Sequence, residues 1–229
     1  MTLPRTSAGL AAKTYAVYAK DVSQELRSRY ALSTILMFGV TTLVVVSYSL
    51  GQSGLPPKLL SALFWVIMFF SSMAGMAQAF IREEETGTAL ALRLTADPNA
   101  VYLGKLFFNL TLLSAVTIIV TPGFFIFMDA PTGNAGLFVL VVILGVLALC
   151  VATTLIAAII SKAAMKGALF AVVALPILIV PLMVLIGAGA KVLDGSTIGQ
   201  ILAELQVLVA FIVVMVTASI LLFRFVWLE

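Results

Sequence analysis

Histidine is absent from all 229 residues, and cysteine occurs once, at Cys150. The first absence removes histidine metal sites, Ser-His-Asp hydrolysis and histidine ligation of haem iron. The second removes any intrachain disulfide or thiolate cage, and leaves Cys150 reading as a small buried hydrophobe. No glycine-rich phosphate cradle occurs, so ATP has no P-loop of this chain's own to occupy. Charge is scarce too, at 10% of residues, and none of it is Asp, Glu or Arg near the middle of a long apolar run. A carboxylate proton relay at bilayer depth is therefore poorly supported. The chain reads as non-catalytic.

What is present is hydrophobic mass. The chain is 62% apolar with a mean hydropathy of +1.20, too much to hide inside one water-soluble core, so lipid must be its solvent. A helix crosses a bilayer core about 30 Å thick with roughly 20 apolar residues. Runs of that length cover 32–50, 59–81, 101–128, 137–160, 168–187 and 205–223. The expected fold is an all-α membrane protein of six spans in a single domain, 1–229. The first charge-poor run begins only at Ala31, without the short apolar core and small-residue cleavage site of a signal peptide, so the N-terminal segment is expected to be retained.

Of the 13 Lys and Arg residues, all but Lys58 and Lys191 fall on one side if both ends are cytoplasmic. Positive charge gathers on the cytoplasmic side of such proteins, which makes the net +3 a record of topology and nucleic-acid binding unnecessary. Residues 10–30 are too charged to cross. Tyr15, Tyr18, Val22 and Leu26 share one helical face while Lys13, Lys20 and Arg27 lie opposite, the pattern of an amphipathic helix flat on the membrane surface. It reads as a topology anchor or as an elbow that couples a neighbouring subunit to the first span.

Three consecutive carboxylates, Glu83, Glu84 and Glu85, stand where the second span runs out of apolar residues. At a helix C-terminus each anion costs roughly 0.3–1 kcal/mol against the macrodipole. Arg82 or Arg93 could offset this, but a basic patch on a cytoplasmic partner would serve better; a solvated polar collar is the plainer reading. Gly87 suits a helix C-terminal cap, and 89–95 is expected to be a separate short helix presenting Leu90 and Leu94 on one face. Asp97-Pro98 then starts the third span. Pro122 is expected to tilt or break that span, and Pro176 and Pro181 to interrupt the fifth, as kinks or as a gate. The connector 188–204 is expected to hold short helices dipping back into the membrane.

Trp65-Val66 with Ser71-Ser72, the segment FIREEETGTALALRL, and Tyr102-Leu103-Gly104-Lys105-Leu106 with Asn109 carry a family resemblance. The chain resembles the ABC-2-type permeases and, among them, the CcmB family of haem exporter permeases that serve cytochrome c maturation. That resemblance implies a half-transporter of the cell inner membrane, paired with a second copy and with two copies of a cytoplasmic ATPase. It also implies company with a haem-handling membrane protein and a periplasmic haem chaperone. Glu83, Glu84, Glu85, Gly87, Leu90 and Leu94 would form the ATPase-coupling surface. Tyr102, Gly104, Lys105 and Asn109 match a motif without a derivable task, and Lys105 is expected to snorkel to the headgroups. No cofactor is expected to bind stably; haem would be transient, apolar cargo, with Met68, Met73 and Met76 as packing rather than ligands. Two alternatives stay open: a non-conducting scaffold of a cytochrome maturation complex, and an exporter of another amphiphile.

Overall fold

The computed structural model describes residues 9–51, 54–76, 80, 83, 87–88, 92, 94, 96–161 and 166–228. Among them are seven α-helices, one short 3-10 turn and no strand. They are α1 (Leu10–Ser28), α2 (Tyr30–Leu50), α3 (Pro57–Met76), α4 (Pro98–Phe127), α5 (Ala135–Ile160), α6 (Lys166–Leu193) and α7 (Leu202–Leu228), with the turn at Ile198–Gln200. Six of them, α2 to α7, are long and apolar enough to cross a membrane. An even number of crossings puts α1 and the end of α7 on one side, here called the near face.

Burial follows composition. α5 is the most hydropathic span and, with α3, the one most enclosed by its neighbours, whereas most of α7 faces outward. In lipid an outward face is as apolar as an inward one, so hydropathy alone does not rank the spans by depth. Shape does better. The Trp65 indole of α3 is fully buried and rests where Gly145 of α5 and Gly189 of α6 have no side chain to oppose it. Nearby, Ser61 Oγ donates to the Ile186 carbonyl across 2.8 Å, a part-buried hydrogen bond between α3 and α6. Phe64 meets Trp65, Phe124 and Phe138 at 5.2, 5.2 and 5.5 Å between ring centres, uniting α3, α4 and α5.

Two sequence expectations need correction: a break in α4 or α6 at their prolines, and re-entrant helices after α6. α4 runs without a break for 30 residues through Pro122, and α6 for 28 residues through both Pro176 and Pro181. In a packed bundle, neighbouring helices and local adjustment absorb the one hydrogen bond each proline removes. Consequently α6 reaches Leu193, and the connector to α7 is short: it holds the single turn Ile198–Gln200 in place of re-entrant helices. The start of α4 matches its expectation, since Asp97 accepts from the Asn99 N–H at 2.9 Å and Pro98 opens the first turn.

Helix α1 has three sides rather than two. Its buried residues are Thr14, Val17, Asp21 and Glu25, a stripe that lies between the exposed Tyr15 and Leu26 and the basic Lys13 and Arg27. This mostly polar stripe faces the protein and packs along α4. A single residue, Arg29, links α1 to α2 in the left-handed conformation, φ 53°. The Glu25 carboxylate accepts the Leu32 N–H at 2.9 Å, satisfying an otherwise orphaned donor of the first turn of α2.

Candidate functional site

The near end of α4 is where the sequence motif Tyr102, Gly104, Lys105 and Asn109 acquires a task. Successive residues of a helix point about 100° apart, so four positions within two turns address different neighbours. Tyr102 is buried against Phe223 of α7 with 5.3 Å between ring centres, and Phe223 stacks on Trp227 at 5.4 Å. Phe80 joins the same aromatic group, 5.8 Å from Phe223. Gly104 lets α1 come close: a Cβ there would stand 2.7 Å from Val17 Cβ and 3.0 Å from the Thr14 carbonyl. Asn109 donates to Thr154 of α5 at 2.9 Å, a buried side-chain bond between spans. The motif makes α4 the element on which α1, α5 and α7 converge.

Lys105 does not snorkel. Its side chain is only 1% exposed, and its ammonium donates to Asp21 of α1 at 3.2 Å and to Glu83 at 3.1 Å. The Phe80 ring lies 5.3 Å from the same nitrogen, a cation–π contact. Lys20 completes the cluster, pairing with Glu83 and, at 3.3 Å, with Asp21. Asp21 and Glu83 are 6% and 7% exposed. A charge buried to this degree is tolerable only because it is paired, since an isolated ion would cost far more than the pair.

The electrostatics agree with the geometry. Burial by itself would push the Glu83 carboxyl upward; Lys105, Lys20 and the Thr88 hydroxyl outweigh it and hold the group down at about 2. Thr88 Oγ1 donates to Glu83 Oε2 at 2.5 Å. For Lys20, burial favours the neutral amine, yet Glu83 and Asp21 leave its pKa raised. The compensation that the acidic run requires is thus supplied to Glu83 from inside the chain, by lysines of α1 and α4.

Of the residues expected to form a coupling surface, Glu84, Glu85 and Leu90 lie outside the described residues, as do Arg82 and Arg93. Glu83 points inward. Gly87 is exposed with φ 70°, a left-handed backbone that suits glycine; the helix end it was expected to cap lies outside the described residues. Of 89–95, Leu92 and Leu94 are described and helical; Leu92 packs against the core while Leu94 is 79% exposed. The sequence reading missed Lys20, Asp21 and Glu25. Their signal was available: acids at 21 and 25, one turn apart, fall on neither the apolar nor the basic face of α1.

As for groups able to hold haem, Cys150 and Met68 are fully buried within the packing of α5 and α3. A furrow of about 480 Å³ opens between α4 and α5, with Ser114, Thr117 and Thr121 among otherwise apolar walls. It offers apolar contact and hydroxyl groups.

The model of the family described as CcmB protein matches residues 12–225, nearly the whole chain. Neither a curated protein nor a solved structure matches it.

Proposed function

The chain belongs to the CcmB family, and on that footing we propose that it is the permease subunit of an ATP-driven haem exporter serving c-type cytochrome assembly. Membership makes it a multi-pass membrane component of a haem exporter of the ABC class. In our reading the near face is cytoplasmic, and a soluble ATPase docks on the edge that runs from Glu83 to Leu94. Two copies of the permease and two of the ATPase make the working unit in the cell inner membrane. ATP binding draws the ATPase copies together, and the edge passes that motion into the spans. The chain itself hydrolyses nothing.

The observation that carries this reading is Leu94. A leucine 79% exposed and outside the membrane spans is not covered by its own core. An exposed apolar knob is what a protein partner buries at the centre of an interface. Haem enters as passing cargo or as the load of a chaperone that the machine releases; the histidine-free chain favours apolar, short-lived contact with it.

The test is co-purification in mild detergent. Leu94→Asp combined with Glu84→Lys and Glu85→Lys should remove the ATPase from the complex while the permease keeps its thermal transition. Glu83→Lys is left out of the set because it would break the buried cluster as well. Full retention of the ATPase by the triple variant rejects the docking edge.

A further inference from the structure

Two lysines and two carboxylates from three parts of the chain meet at the near end of α4. Lys20 and Asp21 come from α1, Glu83 follows α3, and Lys105 belongs to α4. The helices they join also touch through their backbones, because Gly104 brings α4 against Val17 and Thr14 of α1. One turn beyond Asp21, Glu25 holds the first turn of α2 by its Leu32 N–H.

We propose that this cluster is the joint of the transporter: it makes α1, the docking edge and α4 move as one body, with Asp21 and Lys105 as its positioning residues. The proposal rests on the docking role given to the edge above. Its physical basis is the cost of opening. Separating Lys105 from Asp21 or from Glu83 would expose a desolvated ion to an apolar surround, and bulk water does not reach a side chain 1% exposed. Sliding α1 along α4 would in addition drive Val17 and the Thr14 carbonyl off the flat patch that Gly104 provides. A push on Leu94 therefore reaches α1 and α4 together and, through Glu25, the start of α2. The first and third spans, α2 and α4, cannot be levered apart at this end.

The joint predicts that clamping α1 to α4 covalently is harmless. In a Cys150→Ala background, Tyr18→Cys with Thr111→Cys places thiols on the two helices at positions whose native side chains meet through their hydroxyls at 3.2 Å, with the length of the lost tyrosine ring left for a linker to span. These are bridged by a short dithiol-reactive linker in the purified complex with its ATPase. Stimulation of ATP hydrolysis by the permease is the readout, with ATPase co-purification scored separately. The bridged protein should keep its stimulation. Lys105→Met should keep the ATPase bound yet lose stimulation roughly 5- to 150-fold, the range of ordinary coupling between sites. Adding the bridge to Lys105→Met should restore it even when stimulation is read well below the thermal transition of the unbridged variant, where a general loss of stability would have no effect to rescue. If Lys105→Met does not fold, Asp21→Asn, which keeps the shape and one acceptor, takes its place with a smaller loss and the same rescue. Loss of stimulation in the bridged wild-type background, or full stimulation in an unbridged Lys105→Met, overturns the joint. An ATPase that fails to co-purify with the unmodified chain instead overturns the docking edge.

Discussion

The two ends of this bundle use the same chemistry in opposite surroundings. At the near end Lys105, Asp21 and Glu83 are buried and bound across three parts of the chain. At the far end Lys191 pairs with Glu204 at 2.5 Å and donates to the Gln200 carbonyl at 3.1 Å, but the two side chains are 46% and 20% exposed. The far end is closed by backbone instead. Gly133 nests against the Val192 and Leu193 carbonyls, the Asn134 N–H donates to Val192 at 3.1 Å, and Ser47 donates to the Phe127 carbonyl at 2.6 Å. The difference separates two uses of an ion pair. Where water competes, a pair trims a connector and its loss is small. Where water is excluded, the pair fixes which elements travel together, because its separation leaves an uncompensated charge.

Three changes would break or sharpen that contrast. The largest effect is expected from Lys105→Ala, which leaves two buried carboxylates to share Lys20 and should cost at most about 3–5 kcal/mol, read as a lowered thermal transition in detergent. A loss under about 1 kcal/mol, the range of an exposed pair, would mean the near cluster is no more than a surface one. Glu83→Gln should be milder, about 1–3 kcal/mol, since the amide keeps part of the hydrogen bonding. Its dependence on pH has a definite sign. The carboxyl is held at about 2 against an ordinary 4.5, so its contribution is complete above 4.5 and lost as pH falls through about 2. The Lys20 pKa is raised above 10.5, so its share is complete below that value and lost only as pH rises beyond it. The stability gap between wild type and Glu83→Gln should therefore stay level from pH 5 to 9 in thermal scans and shrink below about 4.5; a gap that changes between 5 and 9 would contradict the pairing. Smallest of all, Lys191→Ala should cost at most about 1 kcal/mol and should fade further in high salt.

Much of the architecture could be read directly from composition and periodicity. The six apolar runs became six helices because nothing but a hydrogen-bonded helix satisfies a backbone in lipid. The Asp97-Pro98 cap and the left-handed backbone at Gly87 were legible for a local reason: both depend on neighbours in sequence. Lys105 was not. A lone lysine near a span end obeys the snorkelling rule unless partners arrive from elsewhere, and here they come from 84 and 22 residues away. Helix α1 misled in a similar way, because an amphipathic reading sorts residues into wet and greasy and has no third category for polar groups that face protein. The prolines misled by the opposite error, a local rule applied where packing around the helix overrode it.

Arg29 sets a condition on the length of the chain. With one left-handed residue between a 19-residue helix and a 21-residue helix, the azimuth of α1 is dictated by counting. Each amino acid inserted into α1 between Glu25 and Ser28 would turn the upstream half by about 100°, carrying Asp21 away from Lys105. Two point changes can offset one another; a shift of phase cannot. The elbow should tolerate altered side chains far better than an altered residue count.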